Sequence, residues 1–123
     1  MVPALLLALL LALLALFQLG LVFGAPLGRF AWGGEHRVLP PKLRVGSAVS
    51  IAIYALIALI VLDRAGQVDV FPGSFSTVAT WVVFGYFVLG VGMNAISRSK
   101  PERYTMAPVS AVLAVLALLV GLG

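Results

Sequence analysis

The stretch GAPLGRFAWGGEHRVLPPKLR, Gly24 to Arg44, holds the only histidine of the chain, His36, and one of its two tryptophans, Trp32. It also holds Arg29, Arg37, Lys42 and Arg44, half of all Lys and Arg. Guanidinium forks suit phosphate and carboxylate oxygens. Gly28, Gly33 and Gly34 let the backbone turn and present amide donors. Phe30 and Trp32 are residue types that settle at lipid headgroup level. Together these residues predict a pocket for an anionic headgroup. The competing expectation is an interfacial anchor whose Arg and Lys only set membrane orientation. Glu35-His36 is the one acid–base pair, with a histidine able to titrate near neutrality. Neighbours on an extended loop point apart, so no catalytic residue is assigned. With one histidine and no cysteine, no metal site or cofactor is assigned either.

A second polar group lies near Ser97-Arg98-Ser99-Lys100-Pro101-Glu102-Arg103. If this segment faces the first loop, Asn94, Arg98 and Arg103 join the same patch. The candidate ligand-binding set is then Arg29, Trp32, Glu35, His36, Arg37, Arg44, Asn94, Arg98 and Arg103. Glu35 and Glu102 are the carboxylates available to pair with those arginines. Exposed pairs of that kind contribute ~0–1 kcal/mol.

What must position these residues is apolar. Of 123 residues, 63% are hydrophobic and only 10% charged. Soluble domains are nearer half apolar and a quarter charged, and a small one has too much surface to hide such an excess. Lipid is therefore the expected solvent, and at ~20 residues per span the length holds about four spans in one membrane domain. The apolar runs place them at about residues 2–23, 45–62, 75–96 and 104–123. Loops then fall at 24–44, 63–74 and 97–103. The fold class expected is all-α, a polytopic four-transmembrane-helix bundle. The first run is longer than a signal-peptide core and has no basic residue ahead of it, so cleavage is not expected.

The net charge of +4 does not point to nucleic acid, because the basic residues sit at span ends. Loops 24–44 and 97–103 carry seven of the eight, and the middle loop only Arg64. The positive-inside rule puts the two basic loops in the cytoplasm and both termini outside. Anionic headgroups of membrane lipids are the expected partners, with a homo-oligomer or a membrane-protein partner as further options.

Burial alone does not hold spans together in lipid; small residues and hydrogen bonds do much of that. Gly46 and Ser50 on the second span, and Gly85, Gly90 and Gly92 on the third, are the expected packing notches. Gln18, Ser47, Ser50, Asn94 and Ser110 fall toward the cytoplasmic half. They either bond between helices or line a small polar-lipped cavity opening beneath the first loop. No Asp, Glu, Lys, Arg or His sits at mid-span, unlike most proton-coupled carriers.

GAPLGRFAWGG followed by LPPKLRVGSAVS, and then MNAISRSKPER, resembles a set of small four-span bacterial integral membrane proteins. The resemblance implies four spans in a bacterial inner membrane and brings no activity or ligand. Small multidrug transporters carry a glutamate in the first span, which this chain lacks. PGSFSTVATW looks faintly like a stretch of the fluoride channels, whose other motif is missing here. The functional expectation is a non-enzymatic protein binding a lipid-like or small amphiphilic ligand, or a protein partner, at its cytoplasmic loops. The alternative is a homo-oligomeric channel or uniport-type carrier for a neutral or anionic solute; a lipid-modifying enzyme is the third reading.

Overall fold

The computed structural model describes residues 2–123. Four long helices account for most of the chain: α1 (Val2–Val22), α2 (Pro41–Arg64), α3 (Phe75–Ala95) and α4 (Lys100–Leu122). Each is long and apolar enough to cross a membrane. At ~1.5 Å per residue they measure about 32–36 Å, matching a hydrocarbon core of ~30 Å. The protein is a multi-pass membrane protein with a four-helix architecture.

The helices alternate in direction around a square. α1 packs on α2 and α4, and α3 packs on α4 and more loosely on α2. The core is a narrow seam: Ala4, Leu7 and Leu11 from α1, Ile57, Ile60 and Val61 from α2, Val83 and Phe87 from α3, and Leu113, Ala114, Ala117 and Val120 from α4. Leucines such as Leu5, Leu9, Leu13 and Leu16 point outward and are exposed. In water that surface would drive aggregation; in lipid it is solvated.

Local chemistry sets the helix ends. α1 stops in a Schellman turn, with Gly24 at φ +89°, the Ala25 amide on the Gly20 carbonyl (2.9 Å) and the Gly24 amide on Leu21 (3.1 Å). Glycine is the residue that tolerates this left-handed position, and Pro26 then prevents the helix from resuming. α2 begins at Pro41 rather than Val45, because proline in the first turn forfeits no helical hydrogen bond. Lys42 and Arg44 therefore belong to the helix. α4 begins at Lys100 rather than Tyr104, with Ser99 as its N-cap accepting from the Glu102 amide. Pro108 consequently lies inside α4 and not in its first turn.

The first loop, residues 23–40, is compact. It holds two 3-10 turns, Gly28–Phe30 and Trp32–Gly34, and closes on itself where the Gly28 amide meets the Arg37 carbonyl at 2.8 Å. A side chain on Gly28 would strike the His36 carbonyl. Arg44 ties the base of the loop, its Nε donating to the Leu39 carbonyl at 2.8 Å while its guanidinium lies against Gly24.

Candidate functional site

Both basic loops lie at the same end of the bundle, and they touch. Ser99 Oγ donates to the Arg29 carbonyl, and a Cβ on Gly34 would collide with Ser99. The Gly33 amide reaches Glu102 Oε2 at 3.4 Å. The 3-10 turns thus form a cap resting on the first turn of α4.

Beneath that cap is a cavity of about 560 Å³. All four helices contribute walls. Leu14, Phe17 and Gln18 come from α1, Ser50 and Tyr54 from α2, Tyr86, Phe87, Gly90 and Asn94 from α3, and Glu102, Met106, Ser110 and Leu113 from α4. Phe30, Ala31, Trp32 and Gly33 form the roof. The lining mixes polar and apolar side chains along its depth. Glu102, Asn94 and Ser97 stand next to the loops, while Gln18, Ser50 and Ser110 and the apolar Leu14, Phe87 and Leu113 lie about one to four turns further along their helices.

Trp32 is the keystone of the roof. It sits at φ +53°, followed by Gly33 and Gly34 at +77° and +73°. A left-handed conformation costs a bulky residue of order 1–3 kcal/mol, so the surroundings must hold it. Two contacts do so. The indole Nε1 donates to Ser47 Oγ at 3.1 Å, and the ring lies so close to α2 that a Cβ on Gly46 would stand 2.8 Å from it. Gly46 therefore receives the loop tryptophan rather than a neighbouring helix. Ser50 bonds back to the Gly46 carbonyl at 3.1 Å and lines the cavity.

The polar groups within the bundle are both glue and lining. Gln18 Nε2 donates to the Tyr54 hydroxyl at 3.3 Å, joining α1 to α2. Asn94 Nδ2 donates to Ser110 Oγ at 3.0 Å and to the Gly90 carbonyl at 2.9 Å, joining α3 to α4. Gln18 Oε1 is buried without a partner.

The basic residues named as candidates do not line this cavity. None of Arg29, Arg37, Arg44, Arg98 and Arg103 borders the cavity. The Arg29 and Arg103 guanidiniums lie over the neighbouring rings of Phe30 (5.6 Å) and Tyr104 (5.0 Å). Arg37 and Arg98 are exposed, and Arg44 is committed to the loop base. Glu35 and His36 are exposed on the loop and also stand off the cavity. Of the nine candidate ligand-binding residues, only Trp32 and Asn94 line it. Long cationic side chains at a membrane edge gain more from water and headgroups than from a desolvated cleft, which turns them outward. Glu102, expected to pair with an arginine, instead faces the cavity and is 7% exposed.

The third-helix glycines also separate. Gly90 faces Ser110 Oγ, 3.6 Å from where its Cβ would stand. Gly85 and Gly92 meet nothing and make no helix contact within the described residues. Glu102 is absent from the candidate set, while Gln18, expected either to bond between helices or to line a cavity beneath the first loop, does both. The Ser99-x-x-Glu102 pattern could have marked the carboxylate as a first-turn residue of α4, close to the first loop. Among the described residues no cluster of His, Asp and Glu forms a set able to hold a metal ion. Comparison of the chain with protein-family models, curated proteins and solved structures found no match.

Proposed function

We propose that this chain is a non-enzymatic membrane protein that binds a lipid-like or small amphiphilic molecule in the cavity beneath its first loop. The observation that carries the reading is the cavity itself: about 560 Å³, lined by all four helices, mostly apolar, with a few polar groups and the charged Glu102 at the loop end. Pockets of ~300–1,000 Å³ with a mostly apolar lining and a few placed polar groups are those that take drug-sized ligands. An amphiphile suits such a lining with its head near Glu102 at the loop end and its body toward Phe87 and Leu113. The left-handed Trp32 adds support, since backbone strain of that kind concentrates at ligand clamps.

The membrane is a bacterial inner membrane in this proposal, with the cavity end in the cytoplasm and both termini outside. Seven of the eight basic residues lie at the cavity end, which favours that orientation.

Native mass spectrometry on protein released gently from its own membrane tests the reading. A discrete bound mass is expected, and Ser110→Leu, which places a larger side chain in the cavity, should remove it. A bare protein, or a bound mass that survives Ser110→Leu unchanged, would overturn the assignment of the cavity.

A further inference from the structure

Resting on that reading, we infer that the head of the bound molecule is a protonated amine, received by the Glu102 carboxylate at the loop end of the cavity. Among the described residues Glu102 is the only charged one lining the cavity. It is more than nine-tenths buried, and its single hydrogen bond from another element is the long one from the Gly33 amide to Oε2, at 3.4 Å. Oε1 receives no hydrogen bond among the described residues and stays accessible, since it is not among the buried atoms without a partner. A carboxylate has about four acceptor positions, so an accessible oxygen with no protein donor can take one from a ligand. The first turn of α4 supplies part of a compensating dipole, but it does not fill Oε1.

The nearby cations do not fill it either. Arg103 is adjacent in sequence, yet its guanidinium lies over the Tyr104 ring at 5.0 Å, and the Arg29 guanidinium lies over Phe30 at 5.6 Å. Gln18, which also borders the cavity, leaves its Oε1 without a donor. The buried atom of the cavity lining that lacks a partner is thus an acceptor. Trp32, next to the Gly33 whose amide reaches Glu102, adds aromatic surface at the same end of the lining. Aromatic faces beside a carboxylate form the recognition chemistry of an ammonium head, through cation–π attraction and a charge-assisted hydrogen bond. The sign is opposite to that implied by the basic loops: the loop surface is positive, while the cavity it covers is negative.

The head-group preference can be read from Trp32. In Trp81→Phe protein, Trp32 is the sole tryptophan, and Trp81 lies away from the cavity against Gly121. This protein in maltoside micelles, which contain no amine, is titrated separately with dodecylammonium, dodecanol and dodecanoate. The tails match, so only the head differs. A saturable change in Trp32 fluorescence is expected for all three, with dodecylammonium about tenfold tighter or more than dodecanol, the effect of one charge-assisted hydrogen bond. Glu102→Gln, which keeps an amide suited to the same helix position, should reduce dodecylammonium to the dodecanol level. A parallel titration with phosphatidylethanolamine separates the sources of the amine. Saturation there with equal Glu102 dependence makes the membrane lipid the donor of the head; saturation by the free alkylamine alone makes it a small soluble amphiphile. Equal affinity for all three heads would overturn the amine assignment and leave the cavity standing as a binding site. No saturable response to any of them would overturn both. The comparison of heads requires no change at Glu102, so a misfolded variant does not remove the test.

Discussion

The Trp32 indole N–H donates to the Ser47 hydroxyl at 3.1 Å, and Ser47 is fully buried on α2. This one bond fastens the loop roof to the bundle across the open end of the cavity. The Ser47→Ala variant leaves the indole N–H without its acceptor, a change of about 1–3 kcal/mol where the group stays buried. Its thermal midpoint should fall, and the Trp32 emission should move to longer wavelength as the ring enters water. Gly46→Val should act more strongly, because a Cβ alone would already stand 2.8 Å from the ring. Unchanged emission in both variants would show that the roof does not depend on this seat.

Asn94 and Ser110 couple α3 to α4 inside the cavity wall at 3.0 Å. A double-mutant cycle with Asn94→Leu and Ser110→Ala should return an interaction of about 0.6 kcal/mol, typical of hydrogen bonds between membrane helices. Reversible unfolding in mixed micelles measures it. Gly90→Ala should fold normally, since its new methyl would meet Ser110 Oγ at an ordinary 3.6 Å.

Gly85 and Gly92 face outward with open space around them. Gly85→Ala and Gly92→Ala should therefore leave the thermal midpoint unchanged or raise it, as alanine is the better helix former by up to about 1 kcal/mol. A fall in the midpoint that depends on protein concentration would place a second copy of the chain against this face. That outcome would favour the channel reading, and Gly85→Leu would then be expected to block solute flux in proteoliposomes.

The absence of cysteine makes orientation directly measurable. His36→Cys sits on the exposed loop at the cavity end, and Gln67→Cys on the exposed connection at the other end. In intact bacterial cells a membrane-impermeant maleimide should label Gln67→Cys and spare His36→Cys. The reverse pattern would invert the proposed orientation, and the cavity would open outward.

Arg37→Ala and Arg98→Ala should both retain the bound mass, because neither side chain borders the cavity. Loss of the ligand in either variant would return the basic loops to the binding site.

Much of the architecture was legible because it rests on local, one-dimensional physics. Four apolar runs separated by proline, glycine and charge define four spans, and Gly24 with Pro26 ends the first of them by backbone chemistry alone. The helix starts were less legible. Pro41 and Ser99 carry apolar or mixed sequence into loop-like surroundings, and only their capping roles reveal where α2 and α4 begin. The candidate site was read from residue type, and type favours arginine wherever a loop collects it.

Composition by itself determined that lipid solvates this chain, that it crosses the membrane four times as one unit, and that its basic residues collect at one end. These follow from transfer energies and charge counts, which are sums over residues. Which side chains share a cavity is a different quantity, set by helix rotation and by contacts between residues far apart in sequence. Only the tertiary structure seats Trp32 on Gly46 and Ser47, keeps the arginines off the cavity, and leaves the Glu102 carboxylate facing it.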